Sequence, residues 1–307
     1  MESLKRFCVG HPIIVAIVTF IVGYAVLQLI GMFITGWPYF SSQALVRIIM
    51  FALMVLLGAL VAGPKIFAPR KRMIGYTFRK CWWIIALAAI PSVLTLLLSA
   101  IVEKGVVPDW FARVVGALVL CLFIGLFEES MFRGVIFNAL LSRMGGTRRG
   151  IVWAAIITSV VFGFAHIMVS VLSGQVNDIS TAVQAIGKTI STAMFAFLLS
   201  AVYLKTRNIL GVALIHGIND FLSTVTTALF TSGAVSTNYV HANGPLSGLP
   251  GVIFFVVYIA LSIPFLVVGW HVIRGIKTPQ TGFFGNPDWA STASESLPNG
   301  GKAVAGR

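Results

Sequence analysis

Eight runs of about eighteen or more predominantly apolar residues constrain this chain more than any other feature. They lie near 12–35, 43–63, 82–102, 111–141, 151–173, 185–204, 208–231 and 250–273. A helix rising about 1.5 Å per residue crosses the roughly 30 Å hydrocarbon core of a bilayer in such a run. Lipid offers no hydrogen bonds, so each span must satisfy its own backbone, and helix is the form that does so. The predicted fold class is all-α: a polytopic transmembrane helical bundle of about eight spans. Composition agrees, with 58% hydrophobic and only 10% charged residues among 307, against about 25% charged in soluble domains. The first run follows Lys5 and Arg6 but is too long for a cleavable signal, so it is expected to stay as an anchor.

The basic residues orient the bundle. With the N-terminus in the cytoplasm, 17 of the 22 Lys and Arg fall in inner segments, including the group Lys65, Arg70, Lys71, Arg72, Arg79 and Lys80. The positive-inside rule therefore predicts that both termini are cytoplasmic, in the cell (plasma) membrane. The formal charge of +13 is spread over these short gaps, which suits loops facing anionic lipid and excludes a nucleic-acid partner. Cys8, Cys81 and Cys121 are odd in number and widely spaced, so no disulfide framework or zinc knuckle is predicted. Residues 1–110 are read as N-terminal transmembrane helices and 111–231 as a functional core. Residues 232–277 are read as an outer loop and the last span, and 278–307 as a disordered cytoplasmic tail.

Charge inside the spans is the second constraint, because Asp, Lys or Arg at a span's centre costs about 2.5–3.5 kcal/mol on insertion scales. "FIGLFEESMFRGVIF" holds Glu128, Glu129 and Arg133, which must therefore face protein or a wet cavity. Glu129 and Arg133 are four apart with the acid first, the order of an ion pair on one helix face. Glu128 lies about 100° around the helix, without such a partner in its own span. The fifth run contains "FGFAH", aligning Phe162 with His166, and the seventh contains "HGIND", aligning His216 with Asp220 beside Asn219. Counted along the helices, Glu128, His166, His216 and Asp220 lie about 12–22 Å from the cytoplasmic ends, in one overlapping slab of the membrane. Gly125, Gly163, Gly211 and Gly217 are placed to let helices approach closely.

A glutamate in a dry cavity is a competent general base, a histidine beside it orients water or moves a proton, and a second histidine with Asp or Asn stabilises an oxyanion. The set suits hydrolysis of an amide by activated water. The same donors Glu128, His166 and His216 could also ligate zinc, as a catalytic His₂Glu shell does, although no H-E-x-x-H occurs.

"EESMFR", "FGFAH" and "HGIND" fit, in order, the EExxxR, FxxxH and HxxxN/D motifs. Over about residues 111–231 the chain resembles the CPBP intramembrane proteases, the CAAX protease and bacteriocin-processing family, related to the type II CAAX prenyl endopeptidase. The resemblance implies a glutamate-dependent endopeptidase acting on a membrane-associated protein or peptide. By it Glu128 activates water and His166 assists. His216 and Asp220 take the oxyanion-stabilising positions, while Glu129 and Arg133 match the motif's second Glu and Arg. The catalytic candidates the resemblance implies are Glu128, Glu129, His166, His216 and Asp220, with Arg133, Phe162 and Asn219 as supporting residues. Asp220 stands where the prenyl endopeptidase type has Asn, and an ionised Asp repels an oxyanion. It must then be protonated, orient His216, or leave the role to Asn219. No cofactor is expected, with a divalent metal such as zinc as the alternative. The other readings are a non-proteolytic membrane scaffold or immunity factor, and a proton-coupled transporter.

Overall fold

In the computed structural model the described residues are all except 1, 35, 63–66, 68–70, 104, 232–239, 241–242, 244–246 and 285–307. Among them there is no strand. The helices are α1 (Glu2–Gly10), α2 (Pro12–Phe33), α3 (Tyr39–Ala62), α4 (Lys71–Val102) and α5 (Trp110–Glu129). A π-helix (Ser130–Phe137) follows, then α6 (Asn138–Met144), α7 (Arg148–Ala165), α8 (Met168–Leu172), α9 (Ile179–Thr206), α10 (Ile209–Phe230) and α11 (Leu249–Arg274). Eight helical stretches are long and apolar enough to cross a membrane, matching the eight predicted runs. The protein is a polytopic integral membrane protein of helices.

Burial is inverted relative to a soluble protein. Ile90, Leu94, Leu98 and Ile101 of α4 and Leu249, Val256 and Val267 of α11 are exposed, whereas Thr77, Glu129, Arg133, Asn138, Gln184 and Ser200 are fully buried. Apolar side chains face outward to hydrocarbon, and the polar groups must pair inside.

The chain forms two compact units. The first comprises residues 1–139, 206–235 and 283–287 and so holds α1–α5, the π-helix and α10. Here α10 packs on α4 and α5, α3 on α5, and α2 on the π-helix. The α5–α10 crossing is as close as helices come. A Cβ added at Gly125 would strike the carbonyl oxygen of Ala213, and one added at Gly217 would lie 2.8 Å from that of Cys121. Glycine at both positions is what lets these backbones touch. Asn208 caps α10, its Oδ1 accepting from the Gly211 N–H at 2.8 Å. At the far end, Val107 N–H donates to Leu229 O at 2.9 Å and Arg113 Nη2 to Thr231 O at 2.7 Å.

The second unit comprises residues 140–205, 236–282 and 288–307, with most of α6 and with α7, α8, α9 and α11. Thr147 caps α7, accepting from Gly150 N–H at 3.1 Å. Arg148 donates to the carbonyls of Arg274 at 2.7 Å and Ile276 at 3.3 Å, satisfying the end of α11.

Three expectations about boundaries change. The fifth run ends as a helix at Ala165, because the His166 and Ile167 amides turn back to Gly163 and Phe164 in a tightened last turn. The fourth run is not one α-helix but widens into the π-helix after Glu129. The expected disordered tail lies mostly outside the described residues. Its first part, 278–284, is packed: Gln280 N–H donates to Gly145 O at 2.9 Å, and Gln280, Phe283 and Phe284 are buried. Most of the outer loop 233–249 also lies outside the described residues.

Candidate active site

The site is built in the first unit where α5 passes into the π-helix opposite the middle of α10. Glu129 is the last residue of α5 and Arg133 lies in the π-helix. Arg133 Nη1 donates to Glu129 Oε1 at 2.9 Å, with both side chains wholly buried. The predicted ion pair therefore forms across the α/π junction. A π-turn leaves carbonyls that the regular ladder does not serve. Asn138 serves two of them, its Nδ2 donating to Arg133 O at 2.6 Å and Gly134 O at 3.1 Å. Arg207 Nη1 in turn donates to Asn138 Oδ1 at 3.4 Å, and Arg207 is itself buried with a left-handed φ of 49°.

The glycine crossing of α5 and α10 brings His216 onto the two glutamates. Its Nδ1 lies 2.9 Å from Glu129 Oε1, so this oxygen receives both Arg133 and His216. Its Nε2 lies 3.3 Å from Asp220 Oδ2, one turn on in α10, and 3.9 Å from Glu128 Oε2. Asn219 Nδ2 reaches Asp220 Oδ1 at 3.5 Å. Five of the predicted residues, Glu128, Glu129, Arg133, His216 and Asp220, thus form one network, and Asn219 touches its edge.

Exposure divides the acids. It rises from 0% at Glu129 and 3% at His216 to 13% at Glu128 and 30% at Asp220. Glu129 is sealed and holds the scaffold of the site, whereas Glu128 and Asp220 lie at its open edge. Glu129 was expected to pair with Arg133 and was counted among the catalytic candidates; its carboxylate also anchors His216.

His166 belongs to the second unit. Its Nδ1 faces the Phe162 carbonyl at 2.9 Å, and since a carbonyl can only accept, Nδ1 carries the hydrogen. In the neutral ring Nε2 is then the basic nitrogen. Phe162 is buried and packs on the imidazole, ring centroids 4.7 Å apart.

The donors were also weighed as zinc ligands. Among the described residues no three His, Cys, Asp or Glu side chains gather as a metal-binding group. Both nitrogens of His216 face carboxylates, Nδ1 that of Glu129 and Nε2 that of Asp220. Cys121 sits under the crossing as a free, buried thiol.

Sequence reasoning passed over Asn138 and Arg207. An amide five residues past Arg133 inside an apolar run was the available signal, for a buried amide must bond to something.

Against known proteins, residues 109–222 match the family described as type II CAAX prenyl endopeptidase Rce1-like. The match covers "EESMFR", "FGFAH" and "HGIND" together, and over this stretch it bears out the resemblance read from the three motifs. No protein of curated function and no solved structure matches the chain.

Proposed function

We propose that the protein is an intramembrane glutamate-dependent endopeptidase that cleaves a membrane-associated protein or peptide. The matched family is one of endopeptidases. The observation that carries the mechanism is the division of the two adjacent glutamates: Glu129 is locked by Arg133 and His216, while Glu128 stands at the open edge 3.9 Å from His216 Nε2.

Glu128 takes a proton from water as its oxygen attacks the scissile carbonyl carbon. The carbonyl electron pair moves to oxygen, and the tetrahedral oxyanion is stabilised by the His216 Nε2–H. Glu128 then returns the proton to the leaving nitrogen as the C–N bond breaks. Asp220 orients His216, a role that the 3.3 Å contact supports, and Asn219 is the neutral donor beside it. His166 assists Glu128, an assignment carried by the motif. The step as proposed calls on no metal. The distribution of 17 of its 22 basic residues supports an orientation with both termini cytoplasmic.

The test is incubation of the purified protein with a candidate membrane substrate, comparing wild type with Glu128→Ala and His166→Ala. Both variants are expected to lose cleavage, and normal cleavage by both would sink the mechanism. Full biological activity in these variants, with no proteolysis detectable in the wild type, would favour the scaffold reading. Inhibition by a chelator that zinc reverses would overturn hydrolysis without metal.

A further inference from the structure

Arg47 stands apart from the network yet close to it. It lies on α3 between Ala44 and Phe51. Ala44 packs in a buried cluster with Phe40, Ala117 and Leu120, and Phe51 meets Phe123 with ring centroids 5.9 Å apart. A Cβ added at Gly116 would lie 3.0 Å from Phe40 Cβ. The contacts thus run from Phe40 with Gly116 to Phe51 with Phe123, in the same direction along both helices. Arg47, three residues past Ala44 and four before Phe51, shares this face of α3. It falls roughly one to two turns short of the level of Glu128.

The buried part of the Arg47 guanidinium is also unsatisfied. Its Nε is buried and makes no hydrogen bond, and among the described residues no carboxylate forms an ion pair with it. An arginine that snorkelled to the lipid headgroups would carry its guanidinium out to water, whereas this Nε is sealed among protein atoms. Glu129 is already taken by Arg133 and His216. The side chain as a whole is partly exposed, so it can meet a ligand. A guanidinium held in a membrane span and short of an anion marks a binding site by default, and its planar fork fits a carboxylate in two parallel hydrogen bonds.

We infer that Arg47 binds a carboxylate of the substrate and so fixes which peptide bond lies over Glu128. The inference rests on the peptidase reading for its consequence, though not for the binding itself. The carboxylate comes either from the substrate's C-terminus or from an acidic side chain near the cleaved bond.

The probe is a fluorophore-labelled apolar peptide in three forms: with a free C-terminal carboxylate, with a C-terminal amide, and amidated but carrying one Glu. Binding is followed by anisotropy on the full chain in nanodiscs, in a Glu128→Gln background that does not turn the peptide over. One carboxylate-bearing form is expected to bind roughly tenfold or more tightly than the amide, as a charge-assisted bond gives; the form that does so identifies the source. Adding Arg47→Gln abolishes the difference, and Arg47→Lys keeps part of it. Equal binding of the three forms with Arg47 intact overturns the inference, whether or not the variants fold. So does a preference that persists in Arg47→Gln. Discrimination in binding with no cleavage of any form by wild type would remove the peptidase reading and leave the carboxylate site. Cleavage without discrimination would do the reverse.

Discussion

His216 hydrogen-bonds Glu129 Oε1 at 2.9 Å, the oxygen that also accepts from Arg133 at 2.9 Å. One buried carboxylate therefore fixes an arginine of the π-helix and a histidine of α10 at once. It leaves the histidine's other nitrogen directed at the open edge, where Asp220 and Glu128 stand. The adjacent glutamates have different surroundings because the helix points one into this clamp and the other out of it.

The clamp predicts a pattern of stability. Removing one partner of a buried ion pair leaves an uncompensated charge and costs about 3–5 kcal/mol, whereas replacing both by apolar groups costs far less. Glu129→Leu and Arg133→Met are each expected to lower the melting temperature of the detergent-solubilised protein strongly, and the double variant by less than the sum. Additive losses would show that the pair is not coupled.

Asp220 is predicted to act through its charge on His216. Asp220→Asn keeps a hydrogen-bonding group 3.3 Å from Nε2 but removes the carboxylate. It is expected to lower kcat roughly tenfold with little change in KM, since a hydrogen bond to a charged group contributes about 1.5–3 kcal/mol. Asp220→Ala falls further. An Asp220→Asn enzyme as fast as wild type would mean that His216 needs no charge there.

Much of this was legible in the sequence, for identifiable reasons. The spans are set by length and hydrophobicity, which the bilayer makes decisive. Glu128, Glu129, His216 and Asp220 stood out because charge in lipid is costly and so must be gathered. The π-helix was not legible. All eight residues of "SMFRGVIF" are buried, so no polar and apolar alternation remains to report the winding. The choice between Glu128 and Glu129 as the anchor of His216 was hidden as well, because adjacent identical residues differ only in direction. Arg47 gave no sign of a site, because its span contains no acid to pair with it.

The α5–α10 crossing supports a third prediction. A methyl group at Gly217 would lie 2.8 Å from Cys121 O and 2.9 Å from Leu122 Cα, and backbone atoms cannot swing aside as a side chain would. Gly217→Ala is expected to destabilise the protein by about 1–3 kcal/mol, the usual cost of overpacking, and to impair the His216–Glu129 contact one residue away. Gly31→Ala in α2, where nothing lies within 4 Å of the new methyl, is the control and should melt no lower than wild type. Equal melting of the two variants would deny the close crossing.

Asp178 gives a prediction outside the membrane spans. It precedes α9, where its Oδ1 accepts from the Thr181 N–H at 2.7 Å and from the Thr181 hydroxyl at 3.0 Å. The Thr181 backbone N–H, and then the Thr181 hydroxyl, hold this carboxyl below its ordinary range. Because the folded-state value is the lower one, the cap contributes its full stability above the unfolded value, near pH 4. That contribution is lost as pH falls through the folded value. Asp178→Ala is therefore expected to melt below wild type at neutral pH, with the gap narrowing as pH drops from about 5 to about 3. A gap that stays constant over that interval would show that the carboxylate charge contributes nothing to the cap.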